Sequence, residues 1–108
     1  MATFTIKEGD TSPSIQITAQ DSDGNAVDCT GATGRFHMTR FDAVATKIDA
    51  AATLVTAASG VWRYDWAVGD TDAPGVYEAE LEVTYADATV ETFPNGEQTI
   101  VNVVEAQA

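Results

Sequence analysis

The stretch from Tyr77 to Tyr85 constrains this chain more than any other. Tyr77, Ala79, Leu81, Val83 and Tyr85 alternate without a break with Glu78, Glu80, Glu82 and Thr84. Successive side chains of a strand point to opposite faces, so this pattern sets an apolar row against a core and an acidic row in water. A helix, at 3.6 residues per turn, would scatter both rows around its circumference. The same period of two recurs along the chain. Phe4 and Ile6 alternate with Thr3, Thr5 and Lys7; Ile15, Ile17 and Ala19 with Ser14, Gln16, Thr18 and Gln20; Phe36 and Met38 with Arg35, His37 and Thr39; and Trp62, Tyr64 and Trp66 with Val61, Arg63 and Asp65.

Turn-forming residues separate these runs. Gly9-Asp10-Thr11-Ser12-Pro13 ends the first, and Asp21-Ser22-Asp23-Gly24-Asn25 ends the second, its Asp-Gly supplying the positive-φ position of a tight turn. Ser59-Gly60, Ala86-Asp87-Ala88 and Pro94-Asn95-Gly96 mark later turns, with strands predicted for Thr89 to Phe93 and Thr99 to Val104. Phe41 to Ala58 is the least periodic segment. Its apolar residues sit among alanines and threonines in runs too short for a stable helix, and two short strands are predicted there.

Short strands with a turn signal about every ten residues predict an all-β chain, and specifically an immunoglobulin-like β-sandwich of about seven to nine antiparallel strands. The length of 108 residues suits one domain spanning residues 1–108. A local marker points the same way. In such sandwiches an Asp-x-Gly-x-Tyr spacing makes a tyrosine corner, in which the hydroxyl bonds back to upstream backbone. Asp72, Gly75 and Tyr77 fit this spacing with one extra residue before the glycine. An ordinary Pro-Gly turn followed by a core tyrosine is the competing reading.

Catalysis needs a nucleophile or an acid–base pair held by a third group, and the chain offers little material for one. His37, the sole histidine, falls at an outward strand position, and Cys29, the sole cysteine, has no Cys or His at metal-ligand spacing. No phosphate-binding glycine loop or nucleophile elbow is present. The expectation is a protein without catalytic residues, cofactor or metal. The loop at Asp21 has oxygen donors at the first, third and fifth positions of a calcium loop, but Ala26 stands where glycine should and Ala32 where the bidentate glutamate should. A plain hairpin turn and a weak calcium site completed from elsewhere both remain open. Glu78, Glu80 and Glu82 stand about 7 Å apart on one strand face. At that spacing neighbours repel by only about 0.6 kcal/mol in water. The row reads as a solubilising face or, alternatively, as paired carboxylates, with Arg35 and His37 on an adjacent strand to offset it.

Seventeen acidic against five basic residues give a formal charge of −12, which disfavours nucleic acid and anionic membrane surfaces as partners. No apolar run is long enough to cross a bilayer, and the first residues lack a basic region followed by an apolar one, so a cytoplasmic place of synthesis is expected.

Phe4-Thr5-Ile6-Lys7-Glu8-Gly9-Asp10-Thr11-Ser12-Pro13, Asp23-Gly24-Asn25-Ala26-Val27-Asp28-Cys29-Thr30-Gly31-Ala32-Thr33 and Phe36-His37-Met38 resemble the N-terminal domain family of the upper baseplate proteins of tailed phages. Gly60-Val61-Trp62-Arg63-Tyr64-Asp65-Trp66, Gly69-Asp70-Thr71, Gly75-Val76-Tyr77 and Glu91-Thr92-Phe93-Pro94 resemble its second half. The resemblance implies an immunoglobulin-like sandwich that docks a fibre or host-binding element onto the virion. It departs at Cys29 and Gly34, where such sequences often carry Leu and Val, and at Ala108, where the chain ends without a trimerising heptad stretch or a receptor-binding domain. A small adaptor, decoration or structural component of capsid, neck or tail is therefore expected, assembled in host cytoplasm, binding other virion proteins, with a homo-oligomer in the particle as a further option.

Terminal strands suit such contacts, since sandwich edges leave backbone groups unpaired. Phe4, Ile6, Val101 and Val104 are the candidate interface residues, although the same strands could simply complete the sheets. Two other readings are an immunoglobulin-like carbohydrate-binding module, with Trp62, Tyr64 and Trp66 as a stacking platform, and a small hydrolase using the glutamate row.

Overall fold

The computed structural model describes residues 2–43, 45–94 and 98–107, so Asn95 and Gly96 of the expected last turn lie outside the described residues. Eight strands appear in chain order: β1 (Ala2–Lys7), β2 (Ile15–Thr18), β3 (Thr33–Arg40), β4 (Thr46–Thr56), β5 (Val61–Tyr64), β6 (Gly75–Thr84), β7 (Val90–Phe93) and β8 (Thr99–Val104). No helix occurs among the described residues. The strands form one mixed sheet in the order β1-β8-β6-β3-β4-β5-β2, nearly closed into a barrel, with β7 joined to β6 alongside β8. The predicted all-antiparallel pairing needs one correction. β1 runs parallel to β8, from Ala2↔Thr99 to Lys7↔Val104, because the chain's first and last strands meet in the same direction.

The second correction concerns Phe41 to Ala58, where one strand of 11 residues replaces the two predicted short ones. It has two successive partners. Residues Thr46 to Ala52 pair with β3, after which Thr53 to Thr56 pair with β5 across a register shift between Leu54 and Thr56. Burial along β4 nonetheless alternates throughout, with Ile48, Ala50, Ala52 and Leu54 inward and Lys47, Asp49, Ala51, Thr53 and Val55 outward. The sequence periodicity is weak because alanines stand on both faces and Val55, on the outer one, is 44% exposed.

The sheet folds over at β4, and the rings of Phe36 on β3 and Tyr64 on β5 stack with centroids 4.5 Å apart. Trp66 meets both edge-on, at 5.8 Å and 5.6 Å. Ile17, Phe36, Tyr64, Trp66, Tyr77 and Leu81 all belong to one core, joined by Ile6, Ile15, Met38, Trp62, Val83, Phe93, Val101 and Val103. Alternation from Val61 is unbroken and puts Trp62 in that core, 2% exposed. Cys29 and Gly34 explain their small size here. The Trp62 indole N–H points at Cys29 Sγ at 3.4 Å, and a Cβ built on Gly34 would lie 2.6 Å from Cζ3 of the same ring.

Candidate functional site

Tyr77 opens the buried row of β6, and its hydroxyl donates to the Ala73 carbonyl at 2.6 Å. The bond crosses the bend that brings the chain from Thr71 into β6. Asp72 itself does not reach the tyrosine: its carboxylate accepts from Lys47 Nζ at 2.6 Å, and this hydrogen bond holds it below the usual aspartate range. Gly75 lies under Arg40, where a Cβ would stand 2.8 Å from the guanidinium carbon. That guanidinium sits 5.9 Å from the Tyr77 ring centroid, within range of a cation–π contact.

Of the four candidate interface residues, the structure turns two inward. Ile6 is 4% exposed and Val101 fully buried, because β1 and β8 each send alternate side chains into the core. Neither side chain is available to a partner. Phe4 is half-buried with its ring 5.9 Å from Trp66, and Val104 is half-buried at the end of β8. The aromatic row is core as well, with Trp62, Tyr64 and Trp66 at 2%, 6% and 5% exposure, and so offers no stacking platform to a sugar.

The outer face of the sheet sets β3 beside the glutamate row, with Arg35 opposite Glu82 and His37 opposite Glu80. Both basic groups nonetheless turn to β4. Arg35 Nε lies 2.8 Å and His37 Nε2 3.1 Å from Asp49 Oδ1, and the bond from Arg35 lowers the Asp49 pKa. The Asp21 loop closes on its own backbone: Asp21 Oδ1 accepts from the N–H groups of Asp23 and Asn25, both at 2.9 Å, and Gly24 takes φ 84°. These bonds shape a hairpin turn from Asp21's own carboxylate, and among the described residues no group of three His, Cys, Asp or Glu side chains converges.

A loop that the strand pattern does not single out is built around Asp70. Its Oδ2 accepts from the Tyr64 hydroxyl at 2.5 Å and the Ala67 N–H at 2.7 Å. Burial and the nearby carboxylate raise the Tyr64 pKa well above that of an ordinary tyrosine. The clamp holds up Val68, which is 96% exposed. The available sequence signal was Gly69-Asp70, a positive-φ glycine beside a side chain suited to local backbone bonding. Further exposed apolar side chains are Val90 at 57%, Phe41 at 51% and Val76 at 45%, the last two joined by a Phe41 N–H to Val76 carbonyl bond.

At the open seam of the sheet, β1 pairs only with β8 and β2 only with β5 among the described residues. Comparison with protein-family models gives no match, and no curated protein matches the sequence.

Proposed function

We propose that the chain is a small immunoglobulin-like protein-binding subunit of a bacteriophage particle, an adaptor or decoration component of capsid, neck or tail. Three features support the sandwich reading: the fold-over at β4, the Phe36–Tyr64 stack across the interior, and the Tyr77 hydroxyl returning to Ala73 in the manner of a tyrosine corner. The observation that carries the binding role is the seam, where β1 and β2 each pair through one edge only among the described residues. Exposed Val68, Phe41 and Val76 add apolar surface of the kind that packs against protein. The virion setting rests on the sequence resemblance to upper baseplate N-terminal domains.

Carboxyl-directed crosslinking and mass spectrometry on purified particles is the direct test. The expected result is the domain at defined occupancy, joined to one other structural protein. Particles that lack the protein altogether would refute the reading.

A further inference from the structure

We infer that β2 is a docking edge for an extended, basic-ended strand of another protein. This deepens the protein-binding reading above and rests on it.

The direction of the backbone groups follows from register. β2 pairs with β5 as Ile15↔Tyr64, Gln16↔Arg63, Ile17↔Trp62 and Thr18↔Val61, and the next pair is tied by the Ala19 N–H to the Gly60 carbonyl at 2.8 Å. Along an antiparallel strand, residues alternate between exchanging both bonds with the partner and directing both groups away. Ala19 fixes the phase, so Ile17 and Ile15 face β5, whereas Gln16 and Thr18 direct their N–H and C=O groups to the empty side. Their side chains are exposed, those of Ile15 and Ile17 are buried, and the strand contains neither proline nor bulge.

Natural edges are guarded by charge, proline or a bulge. β1, on the other side of the seam, has Lys7 within it and Glu8 after it, whereas no charged residue occurs from Thr11 to Gln20 in a chain with seventeen acids. In a two-sheet immunoglobulin arrangement the place beside this strand is held by the domain's first strand. Here β1 joins β8 instead. An incoming strand can supply the missing ladder by strand addition.

Charge indicates the ends of that strand. Asp65, which accepts from Ser14 Oγ, lies at the Ile15 end, and Asp21 and Asp23 follow the Thr18 end. Arg63, opposite Gln16, is engaged with Asp65 at 2.9 Å. With a net charge of −12 around it, the edge favours a partner with a cation at each end over an acidic one.

The test is amide hydrogen exchange on the whole domain with a short peptide of alternating threonine and valine, ending in lysine at both termini or in glutamate at both termini. The lysine-ended peptide should slow exchange at Gln16 and Thr18 by about tenfold or more at saturation, with a weaker effect from the glutamate-ended one. Gln16→Pro should abolish protection at Thr18, because it removes an outward donor and leaves the β5 ladder in place. Thr18→Lys, which keeps every backbone group, should weaken binding of the lysine-ended peptide. Protection at Thr3 and Thr5 instead, equal protection by both peptides, or none at either edge would overturn the assignment. Protection that rises with protein concentration alone would replace the foreign strand with a second copy. None of these outcomes alters the particle crosslinking result, so the edge assignment and the virion reading fail separately.

Discussion

Gly34→Ala is expected to destabilise the domain, although glycine is ordinarily a poor strand residue. The added Cβ would stand 2.6, 2.9 and 3.0 Å from three carbons of the Trp62 ring. Carbon atoms pack at about 3.5–4.0 Å, so one side must retreat by about 1 Å. Neither is free to do so. Gly34 is held between Ala52 on β4 and Val83 on β6, while Trp62 is held between Ile17 and Leu54 and directs its indole N–H at Cys29. Overpacking a core in this way costs about 1–3 kcal/mol. The stiffer unfolded chain returns about 0.4–1 kcal/mol, since Gly34 does not have a positive φ that alanine would resist. A net loss of about 1–2 kcal/mol lowers the urea midpoint by about 0.5–1 M for a domain of this size. Trp66 fluorescence can follow the transition in every variant. In the Gly34→Ala/Trp62→Phe double variant the smaller ring should absorb the methyl, giving a favourable coupling of about 0.5–3 kcal/mol. An unchanged or raised midpoint for Gly34→Ala, or strictly additive losses in the double variant, would refute the reasoning.

Tyr77→Phe should cost about 1–3 kcal/mol by leaving the Ala73 carbonyl without its donor, and an unchanged denaturation midpoint would remove that bond from the account. Phe4→Asp should lower the melting temperature of the isolated domain, because the ring packs against Trp66; a wild-type melt would return Phe4 to the candidate interface. Asp49, Asp65 and Asp72 are held below their ordinary 3.8 by Arg35, by Ser14 and Arg63, and by Lys47 respectively. Their contribution is full above pH 3.8 and fades as pH falls through the lowered values, so thermal melts should show stability dropping in that acid range and less steeply in Asp49→Asn. Finally, a charge of −12 predicts no salt-sensitive gel shift with DNA or RNA at physiological ionic strength.

Where hydropathy tracks burial, the sequence was legible. β6 and the Trp62–Trp66 row have a core on one side throughout, so alternation alone located both strands and their buried faces. β4 was not legible in this way: its burial alternates from Ile48 to Val55, but Ala50 and Ala52 on the inner face are matched by Ala51 and Val55 on the outer one, so hydropathy does not report the faces. The change of partner from β3 to β5 has no local sequence mark. Parallel pairing of β1 with β8 left no local trace either, since direction depends on a strand nearly a chain length away. For the candidate interface, alternation marked Phe4, Ile6 and Val101 as apolar but could not say whether core or partner covers them. The unpaired edge of β2 is a property of pairing and becomes visible only once every other strand has found its neighbour.

The parallel β1–β8 pair also has a mechanical meaning. β1 is entered and β8 is left at opposite ends of a ladder with six matched positions, from Ala2↔Thr99 to Lys7↔Val104. Tension applied through the flanking sequence therefore slides one strand along the other and strains all the rungs together, whereas a hairpin pulled at its open end would unzip them in turn. A subunit tethered at one terminus and hauled from the other would meet its greatest resistance at the start of extension. In a force-clamp experiment, Thr5→Pro should leave this barrier largely in place because Thr5 directs its N–H away from β8, whereas Ile6→Pro should collapse it.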